Sequence, residues 1–236
     1  MARTAIWTSI SEALTSDIAE GRYQPGDKLP TEAELSVRFG VNRHTVRRAL
    51  RAMAEAGLVH ARRGAGVFVA LTPTDYPIGR RVRFHQNLAA AGRSPGKTPL
   101  LTETRMAGER EREALGLEKD AEVHVYEGLS SADGQPIALF RSVFPAARFP
   151  ELLTYLNETG SVTQALGKHG VSDYTRASTR LTAKSATPTQ ALHLRIAERA
   201  PILRTVGINV DGSEAPIEYG HTWFAGDRVT LTVDNL

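Results

Sequence analysis

The 236-residue chain contains no cysteine. That excludes disulfides, thiolate metal sites and a cysteine nucleophile. It has no apolar run of membrane-spanning length. Its opening stretch, MARTAIWTSISEAL, lacks the apolar core and cleavage site of a secretory signal. The expected setting is the cytoplasm, with no membrane partner. Catalytic signatures are scarce as well. There is no nucleophile elbow, no phosphate-cradling glycine loop and no metal-ligand spacing among the scattered histidines. These absences assign no catalytic residue, no metal and no cofactor. Acid is missing from one place in particular. Residues 41–66 hold six arginines and a single acidic residue, Glu55.

The densest part of that stretch is VNRHTVRRALRAM, residues 41–53. Wound as a helix at about 100° per residue, it puts Arg43, His44, Arg47, Arg48 and Arg51 on one face. Val46, Ala49, Leu50 and Met53 fall on the other. The apolar face reads as core contact. The cationic face is unlike a plain solvated helix, in which acids and bases alternate. The charge balance repeats the point. Residues 1–70 hold 10 Lys/Arg against 7 Asp/Glu, whereas residues 71–236 hold 19 of each. The whole net charge of +3 therefore lies in the first third, as in an electrostatic footprint for phosphate.

The neighbouring segments frame this helix. In TAIWTSISEALTSDIAEG, Ile6, Ile10, Leu14 and Ile18 recur every four residues, and Gly21 follows as a stop. TEAELSVRFG begins with Thr31 and Glu34 at capping-box spacing and ends at Gly40. A tight turn then leads to Asn42 as the cap of the cationic helix. Two short helices joined by a glycine-containing turn form a helix-turn-helix. Behind them, GLVHARRGAGVFVA changes period and predicts a hairpin with Arg62 and Arg63 at its tip. A hairpin in that position is a wing, close to a phosphate backbone or minor groove. The cationic helix is then a recognition helix for double-stranded DNA.

The segment GDKLPTEAELSVRFGVNRHTVRRALRAMAEAGLVHARRGAGVFV closely resembles the DNA-binding domain of the GntR family of bacterial transcription regulators. The resemblance covers almost all of residues 5–70. It implies DNA contacts at Asn42, Arg43, His44, Thr45, Arg47, Arg63 and Gly64. One departure is Ala33, where the family often carries a DNA-contacting arginine.

LTPTDYPIG reads as a linker. The expected organisation is a DNA-binding domain at 1–72, a linker at 73–79 and a second domain at 80–236. In the second domain, hairpin signals ADGQ and DGSE join strand patterns, with short helices between them. This argues an antiparallel sheet and an α+β class. RVTLTV reads as an extension of the last strand. The markers ADGQPIALFRSVFP, GSVTQAL, YTRASTRLTA and APIEYGHTWFAGDRVTLTV resemble the ligand-sensing UTRA domain of the HutC branch, which has a chorismate-lyase-like fold. More narrowly, VNRHTVRRAL followed by DYPIGRRVRFHQNL looks like the regulators of phosphonate utilisation.

The resemblance implies a homodimer on a palindromic operator and a small anionic effector. Anion capture needs cations and hydroxyl or backbone donors. The candidates are Arg83 before the FHQNL segment, Ser161 at a helix start, Arg176 on the YTRASTR strand, and Glu218, Thr222 and Phe224, which share a strand face by period two. Glu218 suits an amine. Many members of the branch carry an anion-holding Arg-x-Arg pair where this chain has Gly128 and Ser130. Ser130 itself is kept as an effector candidate, and Arg141, on the partner strand, is the expected replacement if it points into the same pocket. The expected function is a ligand-responsive repressor. Two other classes fit in outline: a chorismate-lyase-like enzyme with a DNA-binding targeting domain, and a sequence-independent nucleoid protein.

Overall fold

The computed structural model describes residues 5–62, 64–70, 73–81, 88–89 and 92–233. Arg63, Arg83 and most of the FHQNL segment lie outside the described residues. The chain divides into two compact units, Met1–Thr72 and Pro73–Leu236.

The first unit contains α1 (Ile6–Ala19), α2 (Glu32–Phe39), α3 (Arg43–Glu55) and a hairpin of β1 (Val59–Arg62) and β2 (Gly66–Val69). Local chemistry sets the helix ends. Thr31 Oγ1 accepts from the Glu34 N–H at 3.3 Å, and Glu34 Oε2 accepts from the Thr31 N–H at 2.7 Å. Two of the helix's free N–H groups are thereby satisfied. Gly40 ends α2 in the left-handed region at φ 62°, and Asn42 Oδ1 caps α3 by accepting from the Thr45 N–H at 2.9 Å. The apolar face of α3 buries Val46, Ala49, Leu50 and Met53 against Ile10, Leu14 and Leu35. Buried Asp17 of α1 accepts from Arg22 at 2.7 Å and pairs with Arg38 of α2 at 2.6 Å, which ties the first two helices together.

The second unit comprises β3 (Thr74–Pro77), β4 (Pro95–Met106), α4 (Glu109–Leu115), β5 (Glu122–Ala132), β6 (Gln135–Pro145), α5 (Leu152–Thr159), α6 (Val162–Lys168), β7 (Tyr174–Ser185), α7 (Pro188–Leu194), β8 (Pro201–Asp211), β9 (Pro216–Ala225) and β10 (Val229–Thr232). Six strands form one antiparallel sheet in the order β4-β5-β6-β9-β8-β7. The ADGQ turn is a two-residue loop with Asp133 and Gly134 both at positive φ, 49° and 76°, which matches the twist of the flanking strands. Helices α5 and α6 pack on one face against Tyr126, Phe140 and Ile217. Helices α4 and α7 pack on the other, against Val143 and Tyr219 and against Leu139 and Trp223 respectively.

Two expectations are corrected here. Residues 74–77 are not a linker but strand β3, and RVTLTV does not extend β9. Instead β10 turns away and pairs in parallel with β3, Val229 opposite Thr74. Alternating residues in TDYP bury Thr74 and Tyr76, so this segment has a packed face that its Pro and Gly neighbours conceal in the sequence.

Candidate functional site

Two regions gather the candidate residues. The first is α3. Arg43 and His44 are exposed in its first turn, beside the Asn42 cap, and make no salt bridge among the described residues. Arg47 is engaged: its Nε and Nη2 donate to Glu32 Oε1 and Oε2 at 2.8 and 2.6 Å. An acid for the N-terminal part of α3 is thus supplied by α2. The Arg47 hydrogen bonds hold the Glu32 carboxyl below its ordinary pKa. Arg51 pairs with Glu55 at 3.0 Å, and the Arg48 guanidinium lies 4.8 Å over the Trp7 ring. The outward cationic face is therefore less free than the helical wheel implies: salt bridges engage Arg47 and Arg51, and among the described residues Arg43 and Arg48 have none. At the hairpin tip Gly64 takes φ 75°, a conformation that glycine adopts without strain.

The second region is a cavity of about 550 Å³ between the sheet and helices α5 and α6. Six of the eight residues expected at the effector site line it: Ser130, Ser161, Arg176, Glu218, Thr222 and Phe224. Period two on β9 brings Glu218, Thr222 and Phe224 to the same face, as expected. Ser161 caps α6, accepting from the Gln164 N–H at 3.3 Å. Glu218 is buried; its Oε1 accepts from Ser142 Oγ at 2.5 Å and its Oε2 from Asn209 Nδ2 at 2.7 Å. Arg83 lies outside the described residues.

Arg141 does not enter this cavity. Phe140 and Ser142 line it, so Arg141 between them projects from the opposite face of the sheet. There it pairs with Glu127. The second cation of the cavity is Lys97, which the sequence reading missed. Lys97 stands opposite Ser130 in the β4–β5 ladder, beside one of the positions that lost its arginine. Its ammonium lies 5.2 Å from the centre of the Phe140 ring. The other lost position, Gly128, has no room for a side chain. A Cβ there would meet Thr98 O at 2.6 Å and Phe140 Cζ at 2.8 Å. The Phe140 ring and the Thr98 carbonyl thus occupy the space that a side chain at position 128 would need.

Burial holds Lys97 below the ordinary lysine pKa, against the opposing charge of Glu218. Burial likewise lowers Arg176 from its ordinary value. Arg176 Nε, Thr179 Oγ1 and Asn209 Oδ1 are buried and have no hydrogen-bond partner among the described residues. A cavity that gathers, among the described residues, two cations, one carboxylate and unsatisfied polar atoms is built for a small polar ligand. Among the described residues, no group of three or more His, Cys, Asp or Glu is placed to hold a metal ion. No helix among them is long and apolar enough to cross a membrane.

Comparison with known proteins accords with this geometry. Residues 7–69 match the bacterial regulatory proteins of the gntR family, and residues 90–230 match the UTRA domain. The chain belongs to the GntR family. An uncharacterized HTH-type transcriptional regulator of Rhizobium meliloti is 37% identical over 98% of this chain and 95% of its own length. The probable transcriptional regulator PhnF of Escherichia coli is 33% identical over 90% of this chain and 88% of its own. The crystal structure of PhnF from Mycobacterium smegmatis superposes with a TM-score of 0.66 at 26% identity, over 98% of this chain and 99% of that one. The GntR chain is thus a transcriptional regulator with a helix-turn-helix DNA-binding domain and an antiparallel-sheet UTRA domain.

Proposed function

We propose that this GntR regulator is a repressor whose operator affinity is controlled by a small anionic metabolite, a phosphonate or a phosphate ester, held in the UTRA cavity. The single observation that carries the reading is the cavity itself, which brings together Lys97 and Arg176 and leaves Arg176 Nε without a partner. The phosphonate assignment rests on the sequence resemblance and on the relatives named PhnF. In this reading residues 1–72 bind DNA, residues 80–236 bind effector and form a homodimer, and the operator is a palindrome. One winged helix covers only a few base pairs, so specificity requires two. The ligand must favour one arrangement of the two DNA-binding parts over the other, or it shifts nothing.

The test is a DNA titration of the full chain with and without a panel of phosphonates, phosphate esters and carboxylates. A ligand of the right class is expected to change operator affinity by roughly 5–150-fold, the usual range of allosteric coupling. A panel that leaves the titration unmoved at millimolar concentration counts against the reading.

Base reading by α3 has its own test. Arg47→Ala is expected to weaken operator binding by about 1–3 kcal/mol and to relax sequence choice. Glu32→Gln should act in the opposite sense on random DNA. It removes an acid beside the phosphates and frees Arg47 for unspecific pairing, so random DNA binds more tightly and discrimination falls. Competition titrations with operator and random duplexes measure both. Equal losses on the two duplexes for Arg47→Ala would take that residue off the reading face.

A further inference from the structure

We infer that β8 and β9 form a notch in the cavity floor that receives the anionic end of a compact ligand and selects it by size. The inference rests on the effector reading above and sharpens it. Gly207 and Gly220 stand opposite each other in the β8–β9 ladder, and both line the cavity. Two facing glycines forgo the cross-strand packing that stabilises a sheet. Glycine inside a strand commonly marks a place where another group approaches closely. Neither residue needs glycine for its own backbone, since neither has a positive φ. At Gly220 the missing side chain provides space; at Gly207 it also lets the bulged β7 backbone approach.

That space has a defined border. A Cβ on Gly207 would lie 3.2 Å from the Ser178 carbonyl oxygen of β7, and 3.7 Å from both Arg176 Nε and Thr179 Oγ1. A Cβ on Gly220 would lie 3.6 Å from Glu218 Oε1 and 4.0 Å from Gly207 O. One side of the notch therefore presents a guanidinium N–H and a hydroxyl, and the other a carboxylate. The Arg176 and Thr179 atoms are two of the buried polar atoms without a partner; a third, Asn209 Oδ1, is on the side chain that donates to Glu218. Folded chains rarely leave such atoms unsatisfied. Here two of them border the notch, and the third belongs to a residue that lines the same cavity.

Their types specify the ligand. Arg176 Nε and Thr179 Oγ1 donate to an anionic oxygen. Asn209 Oδ1 accepts, and each Glu218 oxygen retains a lone pair after the bonds from Ser142 and Asn209. These acceptors suit a hydroxyl or ammonium group a few atoms from the anion. The ligand class is a compact anion that also carries such a donor. Bulk next to the anionic centre would collide with the strand floor.

The experiment is calorimetric titration of the full-length protein with methylphosphonate, aminomethylphosphonate, tert-butylphosphonate and inorganic phosphate. Aminomethylphosphonate is expected to bind the wild type, and tert-butylphosphonate at least about tenfold more weakly than methylphosphonate. Gly220→Ala adds one methyl in ordinary contact distance of its neighbours, so the fold tolerates it while the notch fills. It should weaken aminomethylphosphonate binding about tenfold or more. Thr179→Val removes a donor without changing volume and should weaken it severalfold. Gly212→Ala, in the β8–β9 turn with open space around it, should bind as the wild type does. Thermal melting of each variant checks folding. Equal affinity of wild type, Gly220→Ala and Thr179→Val would overturn the notch and leave the effector reading intact. Absence of binding of every probe to the wild type would remove the effector reading itself.

Discussion

Replacing Arg228 with alanine is expected to destabilise the second unit by about 3–5 kcal/mol, the range for breaking a buried charged network. Arg228 is 2% exposed. Its guanidinium donates to Pro136 O at the start of β6, to Leu194 O at 2.6 Å and to Arg195 O at 2.9 Å. The last two carbonyls end α7, where a cation also meets the negative end of the helix dipole. The Arg228 carbonyl accepts from the Thr74 N–H at 2.8 Å and so holds β3. The side chain joins β6 and the end of α7 to the turn before β10, while the backbone carbonyl of the same residue adds β3. Alanine would leave three carbonyls without this donor and open a void. Arg228→Lys would keep the charge but could not fork to three acceptors, so it should recover only a minor part of the loss. The measurement is thermal or urea unfolding of the full chain, followed by the transition of the second unit. A loss of about 4 kcal/mol corresponds to roughly 10 °C in a domain of this size. A shift within about 1 °C for Arg228→Ala would show that the network contributes nothing.

Arg228 also marks the limit of what the sequence discloses. In GDRV it looks like any loop arginine, and only the three-dimensional arrangement shows it buried. Features set by neighbours along the chain were legible. The Thr31–Glu34 capping box, the Asn42 cap, the wing hairpin and the Asp133-Gly134 turn are each local rules written into four or five residues. The parallel pairing of β3 with β10 was not legible. It joins segments about 150 residues apart, and each segment by itself obeys another local reading, one as a linker and one as a strand extension.

The candidate site divides the same way. Glu218, Thr222 and Phe224 followed from period two within one strand. Arg141 failed on the same rule, applied across strands. It is one residue out of phase with Phe140 and Ser142, so it could not share their face. Lys97 was hidden for another reason. In SPGKTP two prolines and a glycine mask a strand, whereas β4 already runs from Pro95 and is carried past Pro99 by a bulge. Bulges reset the phase of a strand. The bulge between Arg176 and Ser178 likewise turns Thr179 towards the cavity, which alternation alone would deny to a residue three places from Arg176.

The chain with both Lys97→Met and Glu218→Gln is expected to be more stable than the wild type, by about 1–4 kcal/mol, and to have lost its ligand response. Buried opposite charges are often less favourable than neutral groups of similar volume, because desolvation exceeds their attraction. The methionine introduced at position 97 would keep the contact with the Phe140 ring through its thioether. The glutamine introduced at position 218 would still accept from Ser142 through its carbonyl oxygen. If the Asn209 amide turns over, its Oδ1 accepts from the NH2 group of that glutamine, so one hydrogen bond between the two side chains is kept. The pH dependence follows from Lys97. Burial sets its folded pKa below the ordinary lysine value, so the unfolded chain binds the proton more tightly. Below the folded pKa both states carry the proton and folding bears the full desolvation cost. Between the folded pKa and the ordinary value of about 10.4, wild-type stability rises with pH as that cost is relieved. The double variant lacks this rise, so its advantage over the wild type is largest near neutral pH and shrinks towards alkaline pH. Urea midpoints of both proteins across that range test the sign. DNA affinity without ligand should be unchanged, because both substitutions lie in the cavity, while addition of aminomethylphosphonate should no longer alter it. A double variant less stable than the wild type at neutral pH, or one that still answers the ligand, would show that these charges serve the fold and not the effector.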